Sequence, residues 1–280
     1  MHPIARAAAA AAFLVLAPAL AAAADCRFTA QHDFDVDAAG LKTIAFDLGS
    51  SDLVVEGVPG LAKIEVRGKA CASEQERLAE LGVDQQRSGD RLTITPKPQR
   101  ERRDGGLGSG YAYVDLRVRM PSALAADVHS RSGDADVHDV AALNFESSSG
   151  DLEVRRIAGA LTTRATSGDV EGGDVGRVEV RGTGSGDVEL DGVRGDVEVA
   201  RAGSGDLAFD HVGGSVRIGS VGSGDVRLRR VGGAATVDSI GSGDVVVDGI
   251  GGDFTLRAKG SGDVSQHDVR GRVSLPNAPG

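Results

Sequence analysis

A repeat constrains this chain more than any other feature. Ser-Gly-Asp recurs at Ser132, Ser149, Ser167, Ser185, Ser204, Ser223, Ser242 and Ser261, in steps of 17, 18, 18, 19, 19, 19 and 19 residues. A fixed period near 20 marks a stack of supersecondary units, each too small to bury its own apolar side chains. With each Ser counted as zero, position +8 reads Val140, Ile157, Val175, Val193, Val212, Val231, Ile250 and Val269, and position +3 is apolar throughout. Pairs such as Val197/Val199 and Phe254/Leu256 follow at +12 and +14, with Ala202, Val221 or Ile240 at +17. The i, i+2 spacing and the β-branched bias are strand signals, and no window in this half keeps a helical period.

Glycine supplies the corners. Gly133 and its equivalents sit in the Ser-Gly-Asp turn, and Gly159, Gly195, Gly214, Gly233, Gly252 and Gly271 mark a second corner at +10. Such positions suit bends with positive φ, or corners where stacked backbones lie close together. Eight coils at ~4.8 Å each predict a rod of roughly 38 Å around one thin core, an all-β solenoid. Lys259 and Gln266 replace apolar residues at inward positions of the last coil, and Pro276 and Pro279 follow. Polar side chains and proline blunt an exposed edge, so this end reads as a cap.

The chain divides into a signal segment (1–24), a β-rich lead-in and cap (25–120), the repeats (121–275) and a short tail (276–280). Arg6, the apolar stretch Ala7 to Leu20 and Ala22-Ala23-Ala24 have the pattern of a cleaved signal peptide, which makes Asp25 the first mature residue. Asp25 before Cys26 argues against lipid attachment, and no later apolar stretch is long enough to span a bilayer. In the lead-in, Thr43 to Leu48, Asp52 to Glu56, Leu61 to Arg67, Leu92 to Thr95 and Tyr111 to Met120 read as strands. Ser73-x-x-Glu76 reads as a capping box opening a short helix to about Leu81. Residues 96–110, with Arg100, Arg102, Arg103 and four glycines, are predicted to form a mobile, solvated loop.

Export makes the two cysteines, Cys26 and Cys71, partners in a disulfide, and closing that loop is expected to stabilise the fold by ~4 kcal/mol. Arg6 is the only charged residue among the first 24, so its removal takes the net charge from −10 to −11. A chain this acidic does not suit nucleic acid, which demands a basic face.

These motifs resemble the bacterial putative-adhesin family of exported β-strand-repeat proteins. The shared pattern is a β-rich lead-in, an l-x-v-x-x-P strand (here Leu116 to Pro121) and iterated s-G-d-v-x-v turns from Ser132 onward. The resemblance spans roughly residues 40 to 275. It implies a right-handed β-helix-like solenoid, exported and cell-associated, and brings no catalytic residues.

Stacking places Asp134, Asp151, Asp169, Asp187, Asp206, Asp225, Asp244 and Asp263 in one column. Neighbouring carboxylates ~4.8 Å apart in water repel by about 0.9 kcal/mol, so something must offset that. The preferred reading has each Asp cap its own corner through backbone N–H groups. The rival reading has the column bind Ca²⁺, although one carboxylate per coil is thin provision for six to eight ligands. His32, His129, His138, His211 and His267 fall at scattered registers without zinc or triad spacing, and no G-x-S-x-G elbow occurs. No catalytic residue and no cofactor is assigned.

The expected function is therefore that of a non-enzymatic exported scaffold or adhesin-like binding surface in the periplasm, cell envelope or medium, with an envelope protein or glycan as partner. The alternatives are a cation-binding solenoid using the Asp column, and a polysaccharide lyase or hydrolase built on the same architecture. The second is weakened by aromatics at only 3%, a poor stock for stacking sugar rings.

Overall fold

The computed structural model describes residues 26–97 and 110–276. The predicted signal segment, most of the predicted 96–110 loop and the end of the tail lie outside the described residues. Before the repeats come β1 (Phe28–Gln31), β2 (Phe34–Asp37), β3 (Thr43–Gly49), β4 (Leu53–Val58), β5 (Lys63–Ala72), α1 (Gln75–Leu78), β6 (Val83–Ser88), β7 (Arg91–Pro96), β8 (Ala112–Pro121) and β9 (Ala125–Ser130). The repeats contribute β10 (Ala135–His138), β11 (Ala142–Ser147), β12 (Leu152–Ala165), β13 (Val170–Thr183), β14 (Val188–Val193), β15 (Val197–Ala202), β16 (Leu207–Val212), β17 (Val216–Val221) and β18 (Val226–Val231). They end with β19 (Ala235–Ile240), β20 (Val245–Ile250), β21 (Phe254–Lys259), β22 (Val264–Val269) and β23 (Val273–Ser274).

The chain is a β-solenoid of about eight turns with one short helix. Each coil gives one strand to each of two parallel columns, except that the 14-residue β12 and β13 each run through both. The column following the aspartates runs β8, β4, β10, β12, β13, β14, β16, β18, β20, β22. The other runs β7, β3, β9, β11, β12, β13, β15, β17, β19, β21, β23. Pairing joins equivalent repeat positions, as in Val188 with Leu207 and Val197 with Val216. Between the columns lies one continuous core, with Val188, Leu190, Val193, Val197, Val199 and Ala202 of a single coil all buried.

The parity of that core has a local cause. Strict alternation would turn +8 outward if +3 and +5 face inward. A left-handed residue at +7 breaks the alternation: Asp139, Arg156, Asp174, His211, Arg230 and Asp268 have φ between 48° and 62°, and Gly192 and Gly249 have φ of 80° and 74°. The corner glycines answer to close approach instead. A Cβ on Gly168 would lie 2.0 Å from the carbonyl oxygen of Gly150, and the same clash recurs at Gly186 and Gly205.

At the base, chain order and stacking order part. The β3–β4 rung sits between β7–β8 below and β9–β10 above, so the later β7 and β8 lie beneath it. Antiparallel β5 then pairs with β8 on one side and with β1 and β2 on the other, and β6 pairs antiparallel with β7. Leu41, Leu78 and Leu81 are buried within the core cluster.

The predicted capping box does not form. The helix is the single turn Gln75–Leu78, its N-cap is Glu74 without a side-chain cap, and Ser73 Oγ is buried without a hydrogen-bond partner. Ser73 is still held to the sheet edge, donating its N–H to Tyr111 O at 3.0 Å, so the helical turn starts one residue late. Cys26 and Cys71 form the expected disulfide, with Cα atoms 5.5 Å apart. At the far end, Ser265, Gln266 and His267 are exposed, and Lys259 Nζ turns to donate to Gly262 O at 2.8 Å.

Candidate functional site: the aspartate ladder and its flanking surfaces

The eight aspartates form a column, and all but the last serve the next corner rather than their own. Asp134 Oδ1 accepts the backbone N–H of Asp151, Asp151 that of Asp169, and so on to Asp244 and Asp263, at 2.8–2.9 Å. The expectation of a self-capping turn is corrected by the stacking. The residue after each Asp donates to the Asp carbonyl one coil on, for example Val188 N–H to Asp206 O at 2.9 Å. The Asp N–H itself points the other way, and the carboxylate beneath it supplies the acceptor. A hydrogen bond to a charged group contributes roughly 1.5–3 kcal/mol, more than the ~0.9 kcal/mol of repulsion between neighbours.

The ladder runs further than the repeat motif. Asp52 Oδ1 accepts the N–H of Asp134 at 3.0 Å, and Leu116 N–H binds Asp52 O at 2.9 Å. Asp52 escaped the motif because Ser51 replaces the glycine, although Ser-Asp-Leu-x-Val was visible around it. Asp115, below it, has one carboxylate oxygen buried without a partner. Burial, and then the charge of Asp52, push its carboxyl above the usual range. Asp206 is held below that range, first by the N–H of Asp225 and then by Arg227, which donates to both Asp206 (2.9 Å) and Asp225 (2.8 Å).

Beside the lower ladder, Asp136, Glu153 and Glu171 run parallel to Asp52, Asp134, Asp151 and Asp169. Together they line an acidic groove of about 350 Å³. Arg155 pairs with two of these lining carboxylates, Asp136 (3.2 Å) and Glu153. The opposite face carries a shallow basin of about 400 Å³ floored by Ala125, Ala142 and Ala160. There Asp127 accepts from Asn144 Nδ2 at 2.7 Å and from Arg91. Burial raises its pKa, but these two donors outweigh burial and leave the carboxyl below its ordinary value.

The histidines are less scattered than their sequence positions imply. His138 and His267 occupy +6 and His211 occupies +7, so three of the five histidines among the described residues lie on the left-handed corner. Counting from the repeat Ser would have revealed this. His129 lies on the other face, 3.4 Å from Asp127, and His32 is half-buried with Nε2 unpartnered. Among the described residues, no serine hydroxyl is hydrogen-bonded to a histidine.

A family model described as Toastrack DUF4097 matches residues 41–272. Among solved structures, a putative adhesin from Bacteroides fragilis is 14% identical, with 89% of this chain and 97% of that chain covered and a TM-score of 0.42. A putative adhesin from Parabacteroides merdae is 12% identical over 88% and 95% of the two chains, with a TM-score of 0.43. One from Parabacteroides distasonis is 18% identical over 88% and 97%, with a TM-score of 0.34. No curated protein sequence matches the chain. Among the described residues, no helix is long and apolar enough to cross a membrane.

Proposed function

The chain belongs to the Toastrack DUF4097 family, and we propose that it is a non-enzymatic, exported solenoid whose rigid sheet faces bind a partner in the cell envelope. The observation that carries this reading is the ladder. The longest column of carboxylates among the described residues, close enough together to suggest glycosidase-type pairs, is committed from Asp134 to Asp244 through one oxygen of each to backbone N–H groups along the stack. A carboxylate fixed as a structural acceptor is poorly placed to act as nucleophile or general base. The functional surface is then what stands beside the column, above all the acidic groove around Asp136, Glu153 and Glu171. The Cys26–Cys71 disulfide and the apolar N-terminal segment support export, since structural disulfides persist in oxidising compartments.

The test uses residues 25–280 against peptidoglycan sacculi, lipopolysaccharide and solubilised envelope proteins, followed by sedimentation or surface binding. The reading expects saturable, salt-sensitive binding to one of these, weakened at least tenfold by Asp136→Lys/Glu153→Lys/Glu171→Lys. Glycan turnover, seen as new reducing ends or unsaturated products, would overturn it. So would the absence of binding to all three.

A further inference from the structure

On the left-handed corner midway along the stack, two coils bring together one imidazole and two carboxylates. His211 Nδ1 lies 2.7 Å from Asp191 Oδ1 and 3.4 Å from Asp210 Oδ1, and the three ligating atoms all fall within 4.8 Å of one another. From this geometry we propose a site for a divalent first-row transition ion of the zinc class, held by His211, Asp210 and Asp191 with solvent completing the coordination.

The fold explains why the site assembles here. Asp191 and Asp210 are register partners on β14 and β16, at +6 of adjacent coils. His211 follows at +7, where φ of 51° swings its side chain out of the strand's alternation. The residue beneath it in that column is Gly192, without a side chain, so the imidazole has room to fold back over the lower rung to Asp191. Elsewhere the same corner stacks Arg156 on Asp139, where a bidentate ion pair fills the space.

The chemistry selects the ion. Imidazole nitrogen with carboxylate oxygen suits zinc, copper or nickel, whereas calcium asks for oxygen ligands in greater number. Ligands about 2.0 Å from a tetrahedral zinc are ~3.3 Å apart. The 3.4 Å separation already meets that spacing, and the 2.7 Å contact has only to open by the exchange of one hydrogen bond for two metal bonds. A second layer is in place: Arg230 holds Asp210 Oδ2, and the backbone N–H of His211 binds Asp210 Oδ1 at 2.7 Å, which fixes how that carboxylate presents itself. Asp191 and His211 are 70% and 55% exposed, so an ion has open access.

Calorimetric titration of untagged residues 25–280 with Zn²⁺ tests the site. One saturable equivalent is expected, weakened at least tenfold by His211→Asn and by Asp191→Asn and unchanged by His138→Asn or His267→Asn. Asparagine tolerates the left-handed conformation, so His211→Asn removes the imidazole without forcing the corner. Should that variant lose its cooperative melt, Asp191→Asn, a change at an exposed side chain, decides alone. Absence of saturable binding overturns the proposal, as does binding that survives either site variant or that His138→Asn or His267→Asn abolishes. Binding to an envelope partner through the acidic groove is a separate readout, so either proposal can fail alone.

Discussion

Asp187 Oδ1 accepts the backbone N–H of Asp206 one coil above it at 2.8 Å, so a side chain closes a backbone ladder across a turn. This relationship, repeated up the column, is what the Ser-Gly-Asp motif encodes: glycine lets the corners approach, and aspartate satisfies the N–H that the approach leaves unpaired.

Removing a mid-column acceptor should therefore cost more than removing the last one. Asp187→Ala is expected to destabilise the fold by about 1–3 kcal/mol, with Asp187→Asn milder because an amide oxygen still accepts. Asp263 ends the column, and Asp263→Ala should lie within about 0.5 kcal/mol of the parent. Urea melts decide; equal costs at the two positions would falsify the ladder as a source of stability.

The two kinds of glycine should separate in the same assay. Gly249→Ala meets only ordinary contacts, the nearest at 3.5 Å, so its cost is the conformational one of a left-handed alanine, ~1–2 kcal/mol. Gly168→Ala would press a Cβ to 2.0 Å from a backbone oxygen in the middle of the stack. It should cost at least ~3 kcal/mol or prevent folding, the range reached by severe strain and overpacking. Similar losses at both sites would count against this division.

Acid should act on the fold through carboxyls shifted in opposite directions, of which Asp139 and Asp115 are a pair. Arg156, ahead of His138, holds the Asp139 carboxyl well below the usual carboxylate range. Its contribution is present above the unfolded value near 3.9 and is lost as pH falls through the depressed folded value. The stability gap between the parent and Asp139→Asn should thus be open at pH 7 and close progressively below about pH 4.

Asp115 behaves the other way. Burial raises its folded pKa, so ionisation at neutral pH opposes folding, and that penalty disappears below the unfolded value near 3.9. Asp115→Asn should stabilise the protein at pH 7 and bring no benefit at about pH 3. A variant equally stabilised at both pH values would remove charge burial as the cause.

Reduction should loosen the base before the stack. The Cys26–Cys71 loop closes 45 residues, worth ~4 kcal/mol in the chain-entropy model, and it ties the segment before β1 to β5. Hydrogen exchange with and without reductant should show protection lost first in β1 and β2, with β14 to β20 retained. Uniform loss along the stack would contradict that assignment.

Much of this architecture was legible along the chain. A period of 17–19 residues with apolar positions at +3, +8, +12 and +14 already specifies parallel strands stacked in register, because only that arrangement buries every copy of the pattern together. The polar end at Lys259 and Gln266 and the cysteine pair were readable because each depends on residue type, which is a local property.

What the sequence could not determine depends on which strands become neighbours. No pattern within β3 and β4 says that they lie between β7–β8 and β9–β10, since pairing partners are chosen by the assembled core. The direction of each aspartate's hydrogen bond, the left-handed residue at +7 and the meeting of Asp191, Asp210 and His211 are likewise consequences of stacking. Side chains some 20 residues apart in sequence become neighbours one strand spacing apart only when the coil closes, and tertiary packing decides that closure.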